Sequence, residues 1–285
     1  MVRYLDAKFA DKELLFLNLD ETSVPYSMQC PMGCVAAAPG SRLPAASVLK
    51  QNVRGAMTYI SIICDSKDIQ GMLPHYLIAT KTKLTNKVLR AQRALPQTRL
   101  QIIRQASARS CAANMRVVFQ GIAEALKPFP TKLPILLLDC APAHLPREVM
   151  MSARKFKLQL LYIPAQTTPL LQPLDLCGFS AFKSFLRQKH AELRSLSEDG
   201  LVDPVAWLWQ LMQCPREFFA AKAWQRSFEC VGCSRPAQVQ SLHKELQHLM
   251  KSPSHFPGSE KPTRAETLCI WPERRQIVYA YKALL

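Results

Sequence analysis

Three aspartates in this 285-residue chain each follow a short segment that is typical of a strand or of the loop after a strand. Asp20 follows residues 14–19, which are apolar except for Asn18, Asp139 follows the apolar residues 135–138, and Asp175 follows a polar loop and a short apolar segment. Burying a carboxylate without a cation or hydrogen-bond donors costs several kcal/mol. We therefore expect these side chains near the carboxyl ends of strands, where open α/β sheets bind ligands.

Carboxylates that converge at strand ends suit the binding of divalent cations. Mg²⁺ prefers oxygen ligands, and one or two carboxylates plus a substrate phosphate commonly hold it. Two such ions, about 3.5–4 Å apart, can stabilise the attacking and leaving oxygens of an in-line displacement. The pattern predicts that Asp20, Asp139 and Asp175 are catalytic metal ligands, with Mg²⁺ or Mn²⁺, two ions in all, as cofactor. The attacking group would be water for strand cleavage or a DNA 3′-hydroxyl for strand joining.

Two further polar residues lie close in sequence to these aspartates. Glu21 directly follows Asp20, and His144 lies five residues after Asp139. Either residue could hydrogen-bond to a metal-binding carboxylate and orient it. Either could equally be a turn or capping residue, and the sequence favours neither interpretation.

The apolar runs predict the elements that position these acids. Short runs bounded by Pro, Gly or polar residues are typical of strands. We predict strands over 14–20, 56–64, 72–79, 135–138 and 158–163, with helices over 114–126 and 147–156 and after Asp175. Three antiparallel strands followed by two strands in βαβ connections form an α/β fold, a ribonuclease H-like mixed five-stranded sheet flanked by helices. In that order the first and fourth strands are parallel neighbours, which brings Asp20 beside Asp139.

The helix after Asp175 has one apolar face. Asp175, Phe179, Phe182 and Leu186 lie at helical spacing on a single side. If the apolar residues pack on the sheet, Asp175 points toward the strand ends. Lys183 and Arg187 fall outside this face and are therefore candidates for contact with a phosphate backbone.

The charge is strongly basic and unevenly distributed. The formal net charge is +16, and no acidic residue occurs between Asp68 and Glu124. A basic stretch without acids favours contact with a polyanion, and DNA is the expected partner. The candidate DNA-contacting residues within it are Lys81, Lys83, Lys87, Arg90 and Arg93. No apolar run approaches the length of a membrane span, so no membrane association is expected.

The chain divides into three predicted parts. Residues 1–200 hold the strands and acids of a catalytic domain, residues 201–251 form a helical extension, and residues 252–285 form a linker and tail. The segment 252–263 is rich in proline and small polar residues, which is typical of a linker.

Three motifs together resemble the DDE superfamily endonuclease domain. They are Asn18-Leu19-Asp20-Glu21-Thr22, then Leu138-Asp139-Cys140-Ala141-Pro142-Ala143-His144, then Thr167-Thr168-Pro169-Leu170-Leu171-Gln172-Pro173-Leu174-Asp175. They are most similar to the pogo, Tigger and Jerky transposases and the centromere protein B group, within the mariner-like superfamily. The spacing from Asp139 to Asp175 fits the aspartate-ended form of the triad, and Cys140 stands where that family often has asparagine.

The resemblance implies a metal-dependent transposase-type endonuclease and DNA strand transferase that acts in the nucleus through Asp20, Asp139 and Asp175. Such transposases carry helix-turn-helix domains before the catalytic domain, whereas this sequence begins close to its first predicted strand. We expect a fragment, a gene without its targeting half, or a protein that uses a separate DNA-targeting partner or a homo-oligomer. The alternative is a domesticated, catalytically silent DNA- or chromatin-binding protein on the same scaffold. An unrelated enzyme acting on a small phosphorylated substrate is disfavoured, because the chain has no glycine-rich phosphate loop.

Overall fold

The computed structural model of the chain describes residues 9, 11–25, 56–93, 98–164, 167–198, 202–233, 242 and 244. Within them a six-stranded mixed sheet has the order β4-β3-β2-β1-β5-β6. The strands are β1 (Glu13–Pro25), β2 (Ala56–Cys64), β3 (His75–Thr80), β4 (Leu100–Gln105), β5 (Lys132–Leu138) and β6 (Gln159–Tyr162).

The strand directions follow the predicted scheme, with one strand added. β1 and β2 are antiparallel, as are β2 and β3, while β5 is parallel to both β1 and β6. This is the ribonuclease H-like arrangement, so the predicted fold class is confirmed. The predicted number of five strands is wrong, because β4 pairs in parallel with β3 at the edge of the sheet. Its residues are mostly half-exposed, and a short, solvated edge strand lacks the continuous apolar run that identifies a buried one.

The helices pack on both faces of the sheet. They are α1 (Lys67–Gln70), α2 (Asn86–Arg93), α3 (Ala112–Leu126), α4 (Arg147–Lys155), α5 (Thr168–Leu171), α6 (Phe179–Ser195), α7 (Pro204–Cys214) and α8 (Gln225–Cys230), with π-helical segments π1 (Leu174–Gly178) and π2 (Pro215–Ala220). Successive side chains of a strand point to opposite faces, which divides the core in two. Leu14 and Phe16 pack with residues of α6, α7 and α8, whereas Leu15, Leu17 and Leu19 pack with residues of α3 and α4.

The pairing of β1 with β5 fixes the relation between two of the aspartates. Asn18 lies opposite Leu137 in this parallel pair, and Asp20 and Asp139 each come two residues later. Equal offsets along parallel neighbours bring both residues to the same level at the end of β5. β1 itself continues to Pro25, because β2 pairs with it over that length. Asp20 therefore lies inside a strand and not at its end, contrary to expectation.

The segment after residue 201 packs on the sheet. Trp207 of α7, Phe219 of π2 and Phe228 of α8 are buried in the same cluster as Phe16 of β1. Trp207 also donates a hydrogen bond from its indole nitrogen to the Pro25 carbonyl, at 2.9 Å. The described helices after residue 201 thus share a core with strands of the sheet. The predicted linker and tail, 252–285, lie outside the described residues, and the division into three parts stays a prediction.

The helices of the described part are too short or too polar for any of them to cross a membrane.

A buried histidine makes the stability of the fold sensitive to acid. His75 is fully buried, with its ring 4.3 Å from that of Phe219 and 5.8 Å from that of Tyr59, centroid to centroid. Among the described residues neither of its ring nitrogens has a hydrogen-bond partner. Burial lowers the pKa of His75 from 6.5 to about 3. The folded protein therefore holds this ring neutral where an unfolded chain would bind a proton.

We predict that His75→Phe makes folding less sensitive to acid. Neutral His75 contributes fully to the parent's free energy of unfolding above about pH 6.5. Below that pH the free energy of unfolding falls by about 1 kcal/mol per pH unit, because the unfolded state binds a proton that the folded state does not. Urea unfolding at several pH values between about 5 and 7.5 measures the slope. His190→Gln, at a half-buried histidine, is the control and should retain most of the parent's slope. A slope in His75→Phe equal to that of the parent would contradict the prediction.

Candidate metal-dependent nuclease site

Asp20 is the most buried of the three aspartates. Its side chain is 8% exposed within β1, and its Oδ1 accepts a hydrogen bond from the Glu21 backbone N–H at 2.7 Å. Burial, then the charges of Asp175 and Asp139, raise the pKa of Asp20 to about 8, while the Glu21 N–H and His144 oppose the rise. Without compensating positive charge, this carboxyl is therefore held largely protonated at neutral pH.

Asp139 is half-buried just beyond β5 and is held by donors. Its Oδ1 lies 2.6 Å from His144 Nδ1 and accepts the Ala141 N–H at 3.1 Å. Burial alone would raise the pKa of Asp139, but the His144 hydrogen bond and charge, with the Ala141 N–H, lower it overall. Asp139 is thus held as a carboxylate, with one oxygen engaged by donors.

His144 lies between two acidic residues, Glu21 of β1 and Asp139 just beyond β5. The side chain is 1% exposed, and its Nε2 lies 3.5 Å from Glu21 Oε1 on the side opposite Asp139. Burial alone would lower the pKa of His144, but its contacts with Asp139 and Glu21 raise it to about 9. The Tyr162 hydroxyl of β6 donates to the His144 carbonyl at 2.7 Å and fixes the loop. The structure therefore brings Glu21 and His144 together beside Asp139.

Asp175 is the second residue of π1 and is exposed to solvent. Partial desolvation, followed by the charge of Asp139, raises the pKa of Asp175, and the nearby Lys183 lowers it. π1 continues directly into α6, whose buried residues are Phe179, Phe182 and Leu186. The predicted apolar face is therefore the one that packs, and it anchors the segment that carries Asp175.

The three aspartates influence one another electrostatically. The charges of Asp175 and Asp139 raise the pKa of Asp20, and the charge of Asp139 raises the pKa of Asp175. Like charges that share a site each disfavour ionisation of the others. In the described part of the chain, however, no three His, Cys, Asp or Glu side chains already stand close enough together to hold a metal ion. The donor set fits a divalent cation in chemistry, since it consists of carboxylate oxygens whose mutual repulsion a cation would offset.

Asn18 is a buried residue at this site that the motif analysis did not assign a role. Its side-chain amide contacts β5 and the first residue of π1, at Leu137 and Leu174. The signal in the sequence was a polar residue between Leu17 and Leu19 within a run of otherwise buried apolar positions.

The basic residues lie largely on the surface. Lys81, Lys83 and Arg90 are exposed near the edge strand β4, and Lys183 and Arg187 are exposed on α6. The side chains of Lys87 and Arg93 lie outside the described part of the structure. Lys183 is close enough to Asp175 to lower its pKa, which links the basic face of α6 to the acidic site.

Residues 115–230 match the sequence profile of a known family, the DDE superfamily endonuclease. The matched segment contains Asp139 and Asp175, whereas Asp20 lies before it. The resemblance inferred from the three motifs is thereby confirmed over this segment. Comparison with curated proteins gives no match.

Solved structures of a mariner transposase align with most of this chain. A pre-cleavage Mos1 transpososome shares 16% identity at a TM-score of 0.48, covering 81% of this chain and 55% of that one. The Mos1 paired-end complex with Mn shares 16% identity at 0.37, covering 81% and 57%. The catalytic domain of Mos1 mariner transposase shares 13% identity at 0.38, covering 79% and 85%. This chain spans just over half the length of the proteins in the complexes, and these scores are too low to transfer an activity.

We predict that Asp20→Asn stabilises the metal-free protein. Because the folded state raises the pKa of Asp20, the parent has its full stability below about pH 4 and loses part of it as the pH rises toward about 8. The neutral amide avoids this loss, so the variant should exceed the parent by at least about 1 kcal/mol near pH 8 and by less near pH 5. Urea unfolding of both proteins in chelator-containing buffer, near pH 8 and near pH 5, measures the two differences in stability.

The control for this comparison is Glu198→Gln, which neutralises an exposed acid and should leave stability unchanged. If Asp20→Asn is no more stable than the parent near pH 8, then Asp20 is not under the electrostatic stress described above.

Proposed function

We propose that this chain, whose residues 115–230 match the DDE superfamily endonuclease family, is a transposase-type nuclease that cuts and joins DNA phosphodiester bonds with the help of divalent cations. Asp20, Asp139 and Asp175 are the proposed catalytic residues and metal ligands. The observation that supports the proposal is the register of β1 with β5, which brings Asp20 level with Asp139, together with the charges of Asp175 and Asp139 that raise the pKa of Asp20.

The arrangement is costly for a protein without a cation partner. Desolvation and repulsion by two like charges both oppose ionisation of Asp20. A protein whose only need was stability would gain by replacing such a residue. The presence of Asp20 at this costly position, with two further acids nearby, therefore supports a binding function and disfavours a purely structural one.

Each acid has a separate proposed part. Asp20 belongs to the rigid centre of the sheet, and Asp139 and Asp175 would contribute oxygens from the two segments beside it. Bound Mg²⁺ or Mn²⁺, two ions in the proposed scheme, would activate the attacking hydroxyl and stabilise the leaving oxygen at the phosphorus. His144 engages one oxygen of Asp139, which leaves the other oxygen available, and Glu21 Oε1 lies 3.5 Å from the far nitrogen of the same ring. We infer that Glu21 and His144 orient Asp139 and do not themselves bind the substrate.

DNA is the proposed substrate and the nucleus the proposed compartment. The net charge of +16 favours a polyanion, and Lys183 joins the exposed face of α6 to the acidic site. Lys81, Lys83, Lys87, Arg90 and Arg93 are proposed as further phosphate contacts on the β3–β4 side. A second copy of the chain or a separate DNA-targeting protein is the proposed source of sequence specificity.

We predict that the purified protein nicks supercoiled plasmid DNA with Mg²⁺ or Mn²⁺ and that Asp139→Asn lowers the rate at least about a hundredfold, because one ligand charge is lost. Gel analysis of time courses measures the rate. Asp65→Asn is the matched control. Asp65 is a half-buried acid directly after β2 that accepts a hydrogen bond from the Phe16 N–H, and it lies outside the proposed site.

Three results separate the possibilities. Loss of nicking in Asp139→Asn with retention in Asp65→Asn supports the proposal. Equal nicking by all three proteins would assign the activity to a contaminant. No nicking by the parent under any divalent cation, with DNA binding intact, would favour the catalytically silent alternative.

We predict that duplex DNA binding weakens steeply between about 50 and 200 mM salt, because Lys and Arg contacts release counterions from the phosphates. The double variant Lys183→Ala/Arg187→Ala should reduce the salt slope by about one for each contact that is lost. Fluorescence anisotropy with labelled duplexes provides the measurement. Arg154→Ala/Lys155→Ala removes the same charge from the exposed face of α4 and is the control. Equal effects of the two double variants would show that binding depends on overall charge and not on α6.

A further inference from the structure

Asn18 is a polar side chain in the most buried part of the sheet. It lies on β1 with 0% exposure, between the fully buried Leu17 and Leu19. An amide taken out of water costs several kcal/mol unless its donor and acceptor are both satisfied. Its presence at this position therefore requires specific partners.

The two ends of the Asn18 amide contact backbone groups that are far away in sequence. Nδ2 donates to the Leu137 carbonyl at 3.2 Å, on β5. Oδ1 accepts from the Leu174 N–H at 2.9 Å, at the first residue of π1. That N–H belongs to the first turn of a helical segment, where backbone donors have no partner within the helix. One side chain thus connects β1, the end of β5 and the start of π1.

Each of these three backbone positions is next to a proposed metal ligand. Asp20 lies two residues after Asn18, Asp139 two residues after Leu137, and Asp175 one residue after Leu174. Asn18 and Asp20 are two apart on a strand, so they face the same side of the sheet, toward π1. The amide therefore sets the distances among the three segments at the level just below the carboxylates.

An amide is the chemical group that this position needs. The carbonyl of Leu137 requires a donor and the N–H of Leu174 requires an acceptor, both reached from one short side chain. A carboxylate lacks the donor, and leucine, although similar in size, lacks both groups.

We propose that Asn18 is a positioning residue that holds the three acid-bearing segments at the spacing needed to bind a divalent cation. The inference rests on the proposed function, because it assumes that Asp20, Asp139 and Asp175 bind the metal. Asn18 does not touch the cation in this scheme. It acts through the backbone of β5 and π1 and offsets the repulsion that would otherwise move these segments apart.

Gln70 offers a matched control within the same protein. It is also a buried amide, 2% exposed, and it also bridges two backbone groups. Its Oε1 accepts from the Cys64 N–H at 2.8 Å and its Nε2 donates to the Ile62 carbonyl at 3.1 Å. These bonds tie α1 to β2 and involve none of the segments that carry the three acids. Replacing Gln70 by leucine removes two hydrogen bonds to the backbone; replacing Asn18 removes its two long-range ones and a longer, 3.4 Å bond from Nδ2 to the adjacent Leu19 carbonyl.

The experiment compares Mn²⁺ binding by the parent, Asn18→Leu and Gln70→Leu. Free Mn²⁺ is measured by electron paramagnetic resonance in a titration, and the Mn²⁺-dependent rise in Tm is measured in parallel. Both variants should have lower Tm values than the parent without metal. Only Asn18→Leu should raise the Kd for Mn²⁺, by at least about tenfold, as expected when a group that orients metal ligands is lost. Gln70→Leu should keep the parent's Kd and its Mn²⁺-dependent rise in Tm.

Asn18→Ser provides a milder variant in case Asn18→Leu does not fold. Its hydroxyl can satisfy one of the two partners, so an intermediate Kd is expected, with circular dichroism showing a folded protein. A folded Asn18 variant that binds Mn²⁺ as tightly as the parent overturns the positioning role while leaving the proposed function in place. Equal weakening by Gln70→Leu also overturns it, since general loss of stability would then explain the result. A parent that binds no Mn²⁺ overturns both proposals.

Discussion

The cost of holding the buried Asp20 close to two other acids is the constraint on which the proposed site depends. Burial raises the pKa of Asp20 most, and the charges of Asp175 and Asp139 raise it further, while burial and the charge of Asp139 raise the pKa of Asp175. Such a site persists only if the surrounding fold is stable enough to hold it. The parallel pairing of β1 with β5 provides the main support, because both strands are central in the sheet and are covered by apolar cores on both faces.

The three acids are held with different degrees of rigidity. Asp20 lies within a long strand that is hydrogen-bonded to β2 on one side, whereas Asp139 lies on a short loop tied down by His144. Asp175 is exposed on a π-helical turn. Such turns are rare in proteins overall, but many of those that occur lie at functional sites. The proposed site thus combines one acid on a central strand with two acids on a loop and a helical turn.

In the described part of the chain, the exposed basic residues reach the three acids at Lys183, which is close enough to Asp175 to lower its pKa. The acids gather between β1 and π1, while exposed basic residues occupy the β3–β4 side and the outer face of α6. A polyanion drawn to these basic surfaces would approach the acids against their repulsion, and bound cations would remove that barrier. Substrate binding and metal binding are therefore expected to support each other in a protein of this charge distribution.

The sequence by itself determined the fold class, strands β5 and β6, and the apolar face of α6. Continuous apolar runs and helical spacing are local signals, so they can be recognised without the tertiary structure. It missed β4, whose stability comes from pairing with β3 and not from an apolar run. It also placed Asp20 at a strand end, since the extension of β1 to Pro25 depends on β2. Only the tertiary structure decided that Asn18 meets Leu137 and Leu174, because those contacts join residues more than a hundred positions apart, and no local pattern records such a pairing.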